Sequence, residues 1–271
     1  MKRSRIKFVI LIITLCTSCT FVSVNACTAI AVYSENTLYG FNFDYPPVDM
    51  RFDIRKHGNM KVFYTSFNRN NNQEPNLEFN EKGLFGVMLM VYPEEDGKSY
   101  LSADEIFMPA LVSMVRIEDK VEGILKNIEK RNVVQYSGVT LHDIFADKYG
   151  NTAIIETVND ENIVIKNDKN FTVMTNFYNS SYMNISVKDI QDVGSERYKI
   201  ACRYIEENIE TFNVESALEC LSKVVQKPSF SSWPTQYTLV MDPVNNDIYI
   251  TIARDLDKVW KISLDNETVE T

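Results

Sequence analysis

Strand-like and helix-like stretches come in blocks along this chain, and that order constrains its fold more than any other feature. Residues 27–34 and 37–44 are β-rich runs on either side of Ser34-Glu35-Asn36 and read as a hairpin. Further strands are expected at 51–55, 60–66, 77–80 and 84–92, with a polar loop over 68–72 and a tight turn at Asn80-Glu81-Lys82-Gly83. Two helices follow. Ser102-Ala103-Asp104-Glu105 starts the first, Ile106, Ala110, Leu111 and Met114 recur at helical spacing, and Pro109 is expected to kink it. The second, over 118–130, carries Val121, Ile124, Leu125 and Ile128 on one face. Strands return over 139–175, helices over 187–209 and 214–226, and strands over 236–264. Segregated blocks of this kind imply an α+β fold, with helices on the outer faces of packed antiparallel sheets. No internal repeat, low-complexity tract or linker interrupts the pattern, so residues 27–271 are expected to form one domain.

Residues 1–26 read differently. Lys2, Arg3 and Arg5 form a basic start, Phe8 to Leu15 is an apolar run, and Val24-Asn25-Ala26 puts small residues where a signal peptidase needs them. The apolar run is short for a bilayer span and is interrupted by polar Thr14, Thr17, Ser18 and Thr20, so an export signal is expected and a stable membrane anchor is not. The domain would then be secreted or periplasmic. The whole chain carries a formal charge of −9, and the export segment holds only basic residues, so the remainder is more acidic still. Such a surface repels phosphate backbones, which argues against a nucleic-acid partner.

Cleavage after Ala26 makes Cys27 the first residue of the domain. A terminal thiol has a base beside it, its own α-amine, with an intrinsic pKa of about 8. That amine can take the thiol proton and later return a proton to a leaving nitrogen, so no histidine is needed. The two histidines, His57 and His142, sit in no metal-like spacing, and neither CxxC nor HExxH occurs, so no metal or cofactor is expected. The alternatives at position 27 are an incidental cysteine or a lipid-modified one, for which Asn25 is a poor fit. Cys202 and Cys220 fall on adjacent expected helices, as a pair or, more in keeping with a chain that is not disulfide-stapled, as buried thiols.

Cys27-Thr28-Ala29-Ile30-Ala31-Val32, followed by Tyr39-Gly40-Phe41-Asn42-Phe43-Asp44, resembles the start of the choloylglycine hydrolase and penicillin V acylase family. Further similarities come in that family's order: Asn80 to Leu84, Asp147 to Asn151 with Ile154-Ile155-Glu156, Met174-Thr175-Asn176, Ser195-Glu196-Arg197-Tyr198, and Thr235-Gln236-Tyr237-Thr238. The resemblance implies a four-layer α-β-β-α sandwich of the N-terminal-nucleophile hydrolases. It implies cleavage of a small-molecule linear amide through a thioester on Cys27, with acyl transfer to an amine as a variant. Asp44 would hold the amine or thiol. The Asn176 amide and a backbone N–H near Met90 would bind the oxyanion, and Arg197 would brace the site by pairing with a carboxylate.

Two positions depart from the family pattern. Phe41 stands where an arginine is usual, which implies an apolar substrate pocket and poor action on conjugated bile salts. Met90 stands where a side-chain amide or phenol is common. Both are expected to touch substrate, and both also suit a non-catalytic exported binding protein. The intact mass of the exported protein should correspond to a chain beginning at Cys27 without lipid; a start at Thr28 or beyond, or a diacylglyceryl adduct, would refute this.

Overall fold

The computed structural model describes residues 27–271 apart from 70, 71, 95, 160, 168 and 230; the expected export segment 1–26 lies outside the described residues. The chain opens with the expected hairpin, β1 (Thr28–Tyr33) and β2 (Thr37–Asp44). It continues through β3 (Met50–His57), β4 (Met60–Arg69), β5 (Asn72–Asn80) and β6 (Phe85–Met90). A short excursion holds β7 (Glu105–Phe107), α1 (Met108–Val112), α2 (Val121–Ile128) and β8 (Asn132–Val134). Then come β9 (Leu141–Ala146), β10 (Thr152–Val158), β11 (Glu161–Lys166) and β12 (Phe171–Met174). The helices α3 (Ser195–Asn208) and α4 (Val214–Lys223) precede β13 (Thr235–Asp242), β14 (Asp247–Ile252), β15 (Trp260–Ser263) and β16 (Thr268–Glu270).

Two seven-stranded antiparallel sheets result, in the orders β12-β1-β2-β13-β14-β15-β16 and β11-β10-β9-β6-β5-β4-β3. Side-chain alternation sorts each strand between two cores. Tyr39, Phe41 and Phe43 of β2 meet Phe79, Phe85, Val87 and Leu89 of the other sheet in the central layer. Ile30 and Val32 of β1 turn outward and pack under Ala201, Ile205, Cys220 and Leu221 of α3 and α4. Phe145, Ala153 and Ile155 do the same under α1 and α2. Both faces of β1 and β2 are therefore buried, which is why those runs are almost continuously apolar. α4 lies so close to β2 that a Cβ on Gly40 would come within 2.8 Å of Leu221. The four layers are those expected.

Several local expectations change. Pro109 does not kink a helix; it occupies the first turn of α1, where its missing N–H has no intrahelical partner to lose. Residues 105–107 before it are extended and pair in parallel with β8, a strand the sequence reading did not separate. Asn68, Arg69 and Asn72 of the expected polar loop belong instead to β4 and β5, with Asn68 paired to Gln73 and Arg69 to Asn72. Helix α3 begins only at Ser195, after Gly194 at φ +80°. Cys202 and Cys220 are free and buried. No helix among the described residues is long and apolar enough to cross a membrane.

One core position is out of keeping with its surroundings. Asp143 of β9 is fully buried opposite Met88 and Ile155, and neither carboxyl oxygen has a partner among the described residues. Burial holds its carboxyl well above the ordinary carboxylate range. The folded state then keeps a proton that the unfolded chain loses above about pH 4, so this group's contribution to stability falls as pH rises from there. Asp143→Val should remove that slope and raise stability at pH 7 by about 1–3 kcal/mol. Urea melts at pH 5 and pH 8 check this; a variant no more stable than the parent at pH 8 would count against it.

Candidate active site

The β1–β2 register pairs Thr28 with Asn42, so Cys27 comes to lie beside the end of β2. Its Sγ donates to the backbone carbonyl of Asp44 at 3.8 Å. The Asp44 carboxyl is buried; Oδ1 accepts from Thr235 Oγ1 at 2.5 Å, and Oδ2 has no partner among the described residues. Thr235 is held in turn by Arg254, whose guanidinium donates to its carbonyl. Burial raises Asp44 to about 8, against the opposing pull of Arg197, Thr235 and Arg254. Burial, and then the charge of Asp44, push the Cys27 thiol up to about 12, against the Asp44 backbone contact and Arg197. At neutral pH this sulfur holds its proton unless a base is supplied.

Asn176 follows β12 and faces the same point from the other side. Its Oδ1 accepts from Arg197 Nη2 at 2.7 Å, and its Nδ2 donates to the Met90 carbonyl at 2.6 Å. One Nδ2 hydrogen is left over. The Val91 N–H bonds to Thr140 on the β9 side, and strand alternation turns the Met90 N–H and C=O the other way, toward Asn176. Met90 and Asn176 thus bring a backbone N–H and a side-chain N–H to the same side of β6.

Arg197, in the first turn of α3, has no carboxylate in hydrogen-bond contact among the described residues, contrary to expectation. Its Nη1 donates to the Cys27 carbonyl and, at 2.7 Å, to Thr28 Oγ1, while Nη2 holds Asn176. Burial lowers its pKa and Asp44 and Cys27 oppose this, so the guanidinium stays cationic. No ion pair joins it to Asp44, which acts on it through space.

A cavity of about 480 Å³ opens onto Cys27, Asp44, Met90 and Asn176. One wing is aromatic, with Phe43, Tyr45, Phe67 and Trp233; the other is walled by Met88, Phe107, Ala110, Val139 and Leu141. It exists because the β5–β6 ladder stops at Leu77–Val87 while β6 stays paired to β9 out to Met90. A bulge beside Thr65 and Ser66, together with Pro75, which has no N–H to give, bends β5 away there. Phe41 is not on this cavity: it lies wholly in the central core against Phe43 and Tyr237. The reason is sheet geometry, since the strand end brings Phe43 and Asp44 to the opening and leaves Phe41 two residues deeper. Sequence reasoning assigned no role to Thr28, Thr235 or Trp233; Thr28 and Thr235 lie in stretches similar to the family, and Trp233 carried no such signal. Among the described residues no group of three or more His, Cys, Asp or Glu side chains gathers to hold a metal ion.

The sequence matches no protein-family model and none of the curated proteins. Its structure is similar to a variant of the conjugated bile acid hydrolase from Clostridium perfringens, at TM-score 0.66 and 16% identity over 90% of this chain and 96% of that one. It is similar to penicillin V acylase from Agrobacterium tumefaciens, at TM-score 0.57 and 18% identity over 88% and 91% of the two chains. An N-acylethanolamine-hydrolyzing acid amidase ortholog from Caenorhabditis elegans gives 0.57 and 15% over 80% and 93%. These likenesses show the fold: the α+β sandwich of two antiparallel sheets described above is shared with these amide hydrolases.

Gly194 lets Arg197 reach Asn176. A Cβ there would come within 2.7 Å of Arg197 Nη2 and 3.1 Å of Thr175 Cβ. Gly58 shares the positive φ, at +59°, but has nothing within 4 Å. Alanine at either position should cost roughly 1–2 kcal/mol for the left-handed backbone. Gly194→Ala should cost a further 1–3 kcal/mol or so, because Asn176 Oδ1 loses a buried donor. Equal losses in denaturant melts would mean that Arg197 is not so confined.

Proposed function

We propose that this protein is an exported cysteine amidase that cleaves a linear, non-peptide N-acyl amide through a thioester on Cys27. The observation that carries the reading is Asp44 Oδ2, buried and without a partner among the described residues, at a carboxyl raised to about 8 beside a thiol raised to about 12. A carboxylate there needs a cation, and the thiol needs a base. The α-amine of Cys27, freed by cleavage after Ala26, answers these needs in turn: neutral, it accepts the thiol proton, and the ammonium so formed is the cation for Asp44.

The steps balance as follows. The α-amine accepts the thiol proton as Sγ attacks the acyl carbon, and the carbonyl π pair moves onto oxygen. The remaining Asn176 Nδ2 hydrogen and the Met90 N–H stabilise that oxyanion. Collapse restores the carbonyl and breaks the C–N bond, and the leaving nitrogen takes the proton held by the ammonium. Water, activated by the same amine, then releases the acid and returns the thiol. Arg197 touches neither reacting atom; it fixes the Cys27 carbonyl and Asn176 relative to each other. An apolar acyl group suits the walls of Met88, Phe107, Val139 and Leu141, and this argument replaces the one drawn from Phe41.

A second reading, a non-catalytic binding protein on the same fold, is favoured by the apolar side chains at 41 and 90. Fast alkylation of Cys27 by iodoacetamide favours the amidase. The decisive variant keeps the thiol and adds one residue before Cys27, which turns the amine into an amide that cannot accept a proton. Hydrolysis of an N-acyl amide should fall by about 10²–10⁴-fold, the range for a lost general base. A folded variant that hydrolyses at the parent rate would show that Cys27 works with another base.

A further inference from the structure

His142 and Glu156 have no part in the steps above, yet they meet fully buried immediately behind the candidate oxyanion site. His142 of β9 turns its Nε2 to the Thr175 carbonyl at 2.8 Å. A carbonyl only accepts, so Nε2 carries the hydrogen. Its Nδ1 faces Glu156 Oε1 of β10 at 3.4 Å. Glu156 in turn accepts the backbone N–H of Asn179 at 2.6 Å and of Ser180 at 3.0 Å. Burial acts to raise the Glu156 carboxyl, but the His142 hydrogen bond and charge, with the Ser180 donors, outweigh it and hold it below its ordinary value.

These contacts bracket one residue. Thr175 is the residue before Asn176, and Asn179 and Ser180 open the short helical turn Asn179–Tyr182 just after it. The segment from 175 to 180 belongs to neither sheet, and it leaves β12 at Met174. Asn176 itself is tied by its carbonyl to the Tyr92 N–H at 3.0 Å and by its side chain to Arg197 and Met90. Without the two anchors from β9 and β10, the stretch would keep the ties of Asn176 to Tyr92, Met90 and Arg197 but lose the hold on the residues that flank it.

We infer that His142 and Glu156 are positioning residues for the Asn176 oxyanion donor, clamping its segment from behind by the Thr175 carbonyl and the Asn179 and Ser180 amides. The inference rests on the amidase reading. It separates two properties of the site: Cys27, just before β1, is hydrogen-bonded to Asp44 and Arg197, whereas the oxyanion donor sits between the two anchors of the clamp. Weakening the clamp should therefore impair reactions that place negative charge on an oxygen and spare those that do not.

Two probes read these properties apart. Iodoacetamide alkylates Cys27 by displacing iodide and forms no oxyanion. Octanal accepts the Cys27 thiol at its carbonyl carbon; the S–C bond forms, the π pair goes to oxygen, and the thiol proton ends on that oxygen in a tetrahedral hemithioacetal. In His142→Leu, kcat on an N-octanoyl anilide and octanal affinity should each fall roughly 10- to 100-fold, the scale of a misplaced reacting geometry. KM and the iodoacetamide rate should stay within about twofold of the parent. His142→Gln keeps a donor for the Thr175 carbonyl and should recover most of the loss. Glu156→Gln retains the shape of the pair, loosens the other anchor, and should show the same split if His142→Leu does not fold. A folded variant with unchanged kcat and octanal affinity overturns the inference, as does a parallel loss of iodoacetamide reactivity. A parent protein that alkylates readily but cleaves no amide overturns the amidase reading and this inference with it.

Discussion

The arrangement depends on one buried cation. Arg197 gives its hydrogen bonds to three neutral oxygens: the Cys27 carbonyl, the Thr28 hydroxyl and the Asn176 amide. A buried guanidinium is costly unless its donors find acceptors, and these oxygens take three of its five N–H groups without an ion pair. Each acceptor belongs to a different functional part. Cys27 carries the proposed nucleophile, Thr28 starts the strand that follows it, and Asn176 carries the proposed oxyanion donor. Helix α3 supplies the arginine because its apolar face, through Ala201, Cys202 and Ile205, is already fixed on β1. Packing energy in one layer thus sets geometry in another.

A second constraint is that a closed sandwich has no room for a ligand. Here the room comes from the premature end of the β5–β6 ladder, at a bulge and a proline. The Met88–Met90 edge then faces a cavity on one side while β9 holds it on the other. This exposes backbone donors on a rigid strand, which suits charge stabilisation better than a mobile loop would. The same burial that shapes the cavity raises both Cys27 and Asp44, so the reactive end of the site is apolar and poor in free charge.

Much was legible from local pattern. The hairpin 27–44, the apolar run to residue 90 and the turn at Asn80–Gly83 follow from period-2 alternation and turn chemistry, which act over a few residues. Pro109 was misread because a proline in an apolar helical pattern suits either a kink or a first turn, and only the pairing of β7 with β8 decides which. Phe41 was misread for a related reason. Alternation says that it shares a face with Phe43, but not how far along the strand the other sheet still covers that face.

The sequence by itself determined the blocks of strand and helix, because hydrophobic period is a local property, and its resemblance to a known family singled out Cys27, Asp44, Asn176 and Arg197 as a candidate set. Only the tertiary structure decided what those residues touch. Arg197 lies 170 positions from Cys27, Thr235 lies 191 from Asp44, and His142 lies 33 from Thr175. Contacts at such separations are set by which layers stack and where a ladder ends. No local pattern encodes that, because the free energy that selects it comes from burying all four layers together.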